Sequence, residues 1–268
     1  MQEMELRFTG SVPASYDRLM VPLIFQPYAD ELARRAHQLQ PKRILETAAG
    51  TGVVTRALHE AVPAAEIVAT DLNQPMLDIA GERIRSDKVQ FRQADAQDLP
   101  FDDDSFDLVV CQFGSMFFPD KTRGHSEARR VLRNGDHYLL AIWDDIGRNA
   151  LSAATQGVLI DLFPDDPPLF LCEGPFGYSD PARIEQDLRD AGFHTIEIDT
   201  VELRSRSASA HDAAAALCYG TPMSVELQDR GPGSLDHAFE QVERSLRAFE
   251  GHAGLDAPMS AHIVTATK

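Results

Sequence analysis

From Arg43 to Trp143 short apolar runs alternate with amphipathic stretches, and this alternation constrains the chain more than any other feature. The pattern predicts strands at 43–47, 66–70, 88–92, 107–111 and 137–143, with helices at 52–61, 75–85 and 121–133 between them. Strands this uniformly apolar are buried on both faces, which argues a mostly parallel, doubly wound α/β sheet. Asn134-Gly135 reads as a left-handed stop for the helix that precedes the strand Tyr138 to Trp143.

The flanks differ from this core. Between about 12 and 40 apolar positions fall at helical spacing, broken by Pro13, Pro22 and Pro27, and residues 1–40 read as a helical N-terminal flap. The α/β core proper covers 41–145. The remainder, 146–268, carries the rest of the sheet, with strands near 194–203 and 261–267 and a helix at 180–191. Cap insertions interrupt it at about 146–178 and 205–258. The first is read as loop-rich because Pro164, Pro167 and Pro168 oppose a continuous helix; the second holds an amphipathic helix near 235–250. A hydrophobic content of 43% over 268 residues suffices for a sizeable core, and the whole is expected to be one domain.

Charge and cysteine usage exclude several function classes. With 42 acidic against 25 basic side chains the formal net charge is −17, which repels nucleic acid and anionic membrane surfaces. Cys111, Cys172 and Cys218 are widely spaced and follow no metal-ligand pattern, so reduced thiols and no metal are expected. The acidic start Met1-Gln2-Glu3 is unlike a signal peptide, and no apolar run is long enough to span a bilayer. A soluble, cytoplasmic protein is the resulting expectation; the sequence leaves its oligomeric state open.

The chemistry-bearing residues fall at strand ends. Strand one runs into Glu46-x-Ala48-x-Gly50-x-Gly52, a turn with so little side chain that backbone amides can approach a ligand, followed by a helix N-terminus. Asp71 closes the second strand, where an acid in a doubly wound sheet faces the ribose hydroxyls of a nucleoside. Asp95-Ala96 follows the third strand, and Ser105 to Gln112 forms the fourth, returning to the same crevice.

These segments, with Asp98-Leu99-Pro100-Phe101 and Glu127-Ala128-Arg129-Arg130-Val131-Leu132-Arg133, resemble the class I S-adenosylmethionine-dependent methyltransferases, and among them the branch with small-molecule substrates. The resemblance is dense over roughly 40–145. It implies a Rossmann-like sheet of seven strands, the last antiparallel. It also implies S-adenosylmethionine as cofactor and S-adenosylhomocysteine as product. By position, Glu46 would reach the cofactor's amino group and Ala48, Gly50 and Gly52 would line its methionine part. Asp71 would bind the ribose hydroxyls, Leu72 and Met76 would flank the adenine, and Asp95 and the Ala96 amide would meet its edge. Gln112 would close over the methionine end, and Tyr16 would touch the carboxylate. The chain departs from the family at Ala48, where a glycine is usual; a methyl group fits there if φ is negative.

Methyl transfer from a sulfonium is an in-line displacement that asks mainly for alignment and exclusion of water. His37, His125, His137, His211, Tyr16 and Glu173 are candidate bases, and none sits in a motif that fixes it at the crevice. Glu127 and Arg129-Arg130 read as helix-surface pairing, and Phe25, Tyr28, Phe113, Met116, Phe170 and Phe176 as either pocket wall or core. Two other functions stay open at this level. One is a nicotinamide-dependent dehydrogenase, although Thr55 stands where its third glycine or alanine belongs. The other is a non-catalytic protein that retains the cofactor pocket.

Overall fold

The computed structural model describes residues 16–268. Their contacts gather into two compact units. The first comprises Tyr28–Trp143, Tyr178–Val201 and Ala261–Lys268. The second comprises the described residues up to Pro27, together with Asp144–Gly177 and Glu202–Ser260.

The first unit is built on the sheet. Strands β1 (Arg43–Glu46), β2 (Glu66–Asp71), β3 (Val89–Gln93), β4 (Phe106–Gln112) and β5 (Leu132–Trp143) are joined by helices α2 (Val53–Ala61), α3 (Gln74–Arg83) and α4 (Lys121–Val131). Helix α1 (Gln26–Leu39) precedes them, and α7 (Pro181–Asp190) leads into β6 (Thr195–Ser207). The strand order is β3-β2-β1-β4-β5-β8-β6, where β8 is Gly254–Thr267 and the two-residue β7 (Glu250–Gly251) pairs only with β8. Strands β1 to β5 pair in parallel, and β8 runs antiparallel to β5. The mixed, doubly wound α/β sheet agrees with the sequence pattern. Ile44, Leu45, Ile67, Leu108, Val109, Val110 and Leu140 are all shielded from solvent, as a sheet covered on both faces requires.

One helix stop differs from its sequence reading. Helix α4 ends at Val131, and Leu132 is already extended. Gly135, at φ +87, instead lies inside β5, between Leu132 and His137, where pairing with β4 shifts register. The left-handed glycine therefore serves a strand irregularity rather than a helix C-terminus.

The second unit is mainly helical. Tyr16–Phe25 winds as a π-type helix. It is followed in chain order by α5 (Ala150–Leu162), the short α6 (Phe170–Glu173), α8 (Ala210–Tyr219), α9 (Met223–Asp229) and α10 (Ser234–Leu246). The segment expected to be loop-rich thus opens with a thirteen-residue helix that stops just before Pro164. Helix α10 carries Leu235, Ala238, Val242 and Leu246 on its buried stripe.

Candidate functional site

The carboxyl ends of β1 and β2 are tied together by backbone bonds. The Thr47 amide donates to Val110 O at 2.9 Å and the Ala49 amide to Thr70 O at 2.9 Å, so the turn after β1 is bracketed by both neighbouring strands. Three of its residues are left-handed: Ala48 at φ +54, Gly50 at +56 and Gly52 at +82. Glycine at 52 is also a matter of space, since a Cβ there would press on Ala80 Cβ and Ile84 Cδ1 at 3.0 Å. The condition under which a methyl fits without strain at Ala48, a negative φ, is not met. Its methyl sits in the region that costs an L-residue roughly 1–2 kcal/mol.

Two acids are buried at these strand ends. Glu46 is 2% exposed, and its Oε2 accepts the Thr55 hydroxyl, one turn into α2, at 2.6 Å. Burial pushes the Glu46 carboxyl up to about 8, and the neighbouring Asp71 charge adds to the rise. Asp71 is 8% exposed; its Oδ2 accepts the Gly50 amide and its Oδ1 the Asn73 amide, each at 2.8 Å. Burial raises the Asp71 pKa too, against the pull of those amides. Among the described residues no basic side chain pairs with either acid. They are therefore a site of uncompensated negative potential, or of trapped protons, at the mouth of a parallel sheet.

The other sequence-predicted residues distribute around this pair. The Ala94 amide donates to Asp71 O at 3.0 Å, which brings the Asp95-Ala96 loop beside the end of β2. Asp95 Oδ1 accepts the Gln97 amide at 2.8 Å, and both Asp95 and Ala96 are half-buried. Leu72 is half-buried, whereas Met76 is 5% exposed and packed into the unit. Gln112, half-buried, ends β4, which pairs with β1. Tyr16 belongs to the second unit, where its ring centroid lies 5.0 Å from that of Phe25.

Sequence reasoning undervalued three supports. Thr55, noted only as the wrong residue for a dinucleotide fold, holds Glu46. Glu127 and Arg130, read as surface pairing, anchor the loop that follows Asp95. Glu127 Oε2 accepts the Leu99 amide at 2.8 Å, and Arg130 donates to Leu99 O at 2.9 Å and Phe101 O at 2.7 Å. The spacing of Leu99-Pro100-Phe101 ahead of Glu127-x-x-Arg130 was the available signal. Phe113 stacks on Trp143 with centroids 3.8 Å apart and planes at 4°, and only the shared aromatic character of strand ends hinted at it.

The candidate bases have structural surroundings. His125 is wholly buried in α4, 3.5 Å from the Tyr178 hydroxyl, and burial lowers it to about 4. His37 meets Ala61 O at 2.8 Å, His137 the Thr267 hydroxyl at 3.2 Å and His211 Glu243 at 3.0 Å. The Tyr28 hydroxyl donates to Val201 O at 2.9 Å from a fully buried ring. Among the described residues no group of His, Cys, Asp or Glu is placed to hold a metal ion, and no helix is long and apolar enough to cross a membrane.

Residues 44–135 match the model of a methyltransferase domain family. A demethylmenaquinone methyltransferase of Deinococcus radiodurans is 32% identical over 58% of this chain and 69% of its own length. One from Clavibacter sepedonicus is 32% identical over 69% of this chain and 80% of its own. Among solved structures, a phosphoethanolamine N-methyltransferase 2 of Haemonchus contortus in complex with S-adenosylmethionine superposes with a TM-score of 0.62 at 17% identity, covering 98% of this chain and 58% of that one. The YcgJ protein of Bacillus subtilis gives 0.60 at 18% identity, covering 90% and 98%. The strand order, the acid-bearing strand ends and these relatives place the chain in one family: it belongs to the class I S-adenosylmethionine-dependent methyltransferases.

Proposed function

We propose that the chain binds S-adenosylmethionine across the carboxyl ends of β1 to β4. It transfers the methyl group to a small-molecule acceptor by in-line displacement and releases S-adenosylhomocysteine. The observation that carries the binding reading is the pair Glu46 and Asp71: two buried acids, with no described basic side chain paired to either. A ligand bearing an ammonium and a sulfonium fits such a site, because it supplies the positive charge that the burial of carboxylates demands. When bound, this group supplies a methyl already activated by the sulfonium.

The chain's own residues then align and shield. Glu46, oriented by Thr55, faces the ammonium; Asp71, fixed by two amides, keeps lone pairs for the ribose hydroxyls. The Ala48, Gly50 and Gly52 turn presents backbone to the methionine part. Leu72 and Met76 flank the adenine, Asp95 and the Ala96 amide take its edge, and Gln112 closes the amino-acid end. No general base is assigned, since displacement at an activated methyl is served by proximity. A demethylated quinone is the first acceptor to assay, on the strength of the relatives' names.

Calorimetry on the full chain tests the reading: saturable binding of S-adenosylmethionine and S-adenosylhomocysteine is expected, and its absence from folded protein overturns it. Asp71→Ala is expected to weaken binding by about tenfold or more, the scale of lost hydrogen bonds to a charged group. Unchanged affinity removes Asp71 from the site.

A further inference from the structure

Two neighbouring small residues carry each other's expected identities. Ala48 stands at φ +54, where glycine is the unstrained choice. Gly114 stands at φ −104 and ψ −39, which any L-residue adopts. The reason for glycine at 114 is spatial: a Cβ there would overlap the Ala48 methyl carbon and come within 3.1 Å of Cys111 Sγ. The methyl of Ala48 thus fills the space that Gly114 vacates, joining the turn after β1 to the exit of β4.

The β4 exit is itself held from the other side. Phe113, a bulky residue at φ +52, precedes Gly114 and is only 6% exposed. Its amide donates to Ala141 O at 2.8 Å, its ring stacks on Trp143, and Tyr28 meets both rings edge-on at 5.3 and 5.5 Å. A left-handed conformation at such a residue persists only where its surroundings over-determine it.

We propose that Ala48 is a positioning residue: its methyl, seated on Gly114, interlocks the β1 turn with a β4 exit that the Phe113–Trp143 stack holds rigid, and this interlock sets how tightly the methionine end of the cofactor is gripped. The strain at Ala48 is retained because moving the methyl to the conformationally easier position would unlock the two strand ends. The part of this that concerns affinity rests on the function proposed above; the interlock itself does not.

The test is a methyl swap in the full-length chain, comparing Ala48→Gly, Gly114→Ala and the double variant. It is read by S-adenosylhomocysteine calorimetry, melting temperature and the near-ultraviolet circular dichroism of Trp143, the single tryptophan. Ala48→Gly is expected to weaken binding by about threefold to tenfold, within the lower part of the range of coupling between residues in contact, and to alter the Trp143 band without loss of fold. Gly114→Ala is expected to lower the melting temperature, and adding Ala48→Gly to restore it while leaving affinity below wild type. Phe113→Leu should change the Trp143 band more than Ala48→Gly does and weaken binding likewise. Wild-type affinity and an unchanged Trp143 band in Ala48→Gly would overturn the proposal, as would a double variant no more stable than Gly114→Ala. Should the wild type bind no S-adenosylhomocysteine, the functional reading fails alone, and the melting-temperature cycle with the Trp143 band still decides the interlock.

Discussion

The first unit buries acids in two places, and the two are built differently. In α7, Asp187 is 3% exposed and its Oδ2 accepts Arg183 Nε at 3.0 Å. Lys121 lies near, its Nζ 5.0 Å over the Tyr178 ring, and the Asp187 charge raises the pKa of that tyrosine further after burial has done so. At the ends of β1 and β2, Glu46 and Asp71 are also buried and have neutral donors, among them a threonine hydroxyl and the Gly50 and Asn73 amides. The first cluster carries its own cations and is complete as a piece of structure. The second is an acid pair with no described cation beside it, the feature on which the proposed cofactor site rests, and this absence of a paired cation separates it from a structural ion cluster better than burial or shifted titration does alone.

The sharpest way to break that contrast is Glu46→Gln, which keeps an acceptor for Thr55. A carboxyl whose folded pKa is raised to about 8 holds its proton longer in the folded state than in the unfolded one. Stability is therefore lost as pH rises from the unfolded value near 4.5 toward 8, by roughly 3 kcal/mol at pH 7. Glu46→Gln should flatten this slope in urea melts taken across that range. It should also remove the wild-type gain in S-adenosylhomocysteine affinity between pH 5 and about 8, where the ligand ammonium releases the Glu46 proton. An unaltered slope means that Glu46 is neutralised by something within the chain.

A smaller effect of opposite sign belongs to His125, buried beside the Asp187 cluster. A histidine lowered to about 4 favours the folded state only while neutral. Its contribution is full above the unfolded value near 6.5 and is lost as pH falls toward 4, about 2 kcal/mol being forfeited at pH 5. His125→Gln should shallow the acid limb of a stability profile between pH 7.5 and 5 and leave cofactor affinity unchanged; an affinity loss with the fold intact would join the two clusters functionally. Smallest is Asp187→Asn. Arg183 is largely exposed, so solvent screens the pair, and a loss of stability smaller than the His125 effect is expected. Affinity for S-adenosylhomocysteine should hold within about twofold, a change of less than 0.5 kcal/mol; a larger drop would blur the distinction.

The sheet and its acid-bearing ends were legible because local signals coincide there: apolar runs of strand length, small-residue turns and an acid after each strand. Glu46, Asp71 and the Asp95 loop converge for that reason. The conformation of Ala48 was not legible, because the space its methyl occupies is left open by a residue 66 positions away whose lack of a side chain has no local meaning. Gly135 misled for a related reason: a left-handed glycine serves a helix end and a strand bulge alike, and only the register with β4 separates them. Helix α5 was hidden by the prolines that follow it, which end the helix at Leu162 rather than preventing it. Arg130 acts through bonds to groups far along the chain and Thr55 through one that crosses the turn after β1, and pattern and propensity carry no information about either.

Arg130 also has a kinetic and calorimetric consequence. The carbonyls of Leu99 and Phe101 and the amide of Leu99 are already bonded to the side chains of α4 before anything docks beside them. A loop in this condition has little configurational freedom left to surrender, so the cofactor capture proposed at its edge would be docking onto a formed rim rather than coupled folding. The heat-capacity change of binding should accordingly scale with the ligand surface covered, without the excess that accompanies ordering of a segment. Arg130→Ala would convert the same edge into one that must be assembled at each encounter, and the added ordering would emerge as slower association and a more negative heat-capacity change.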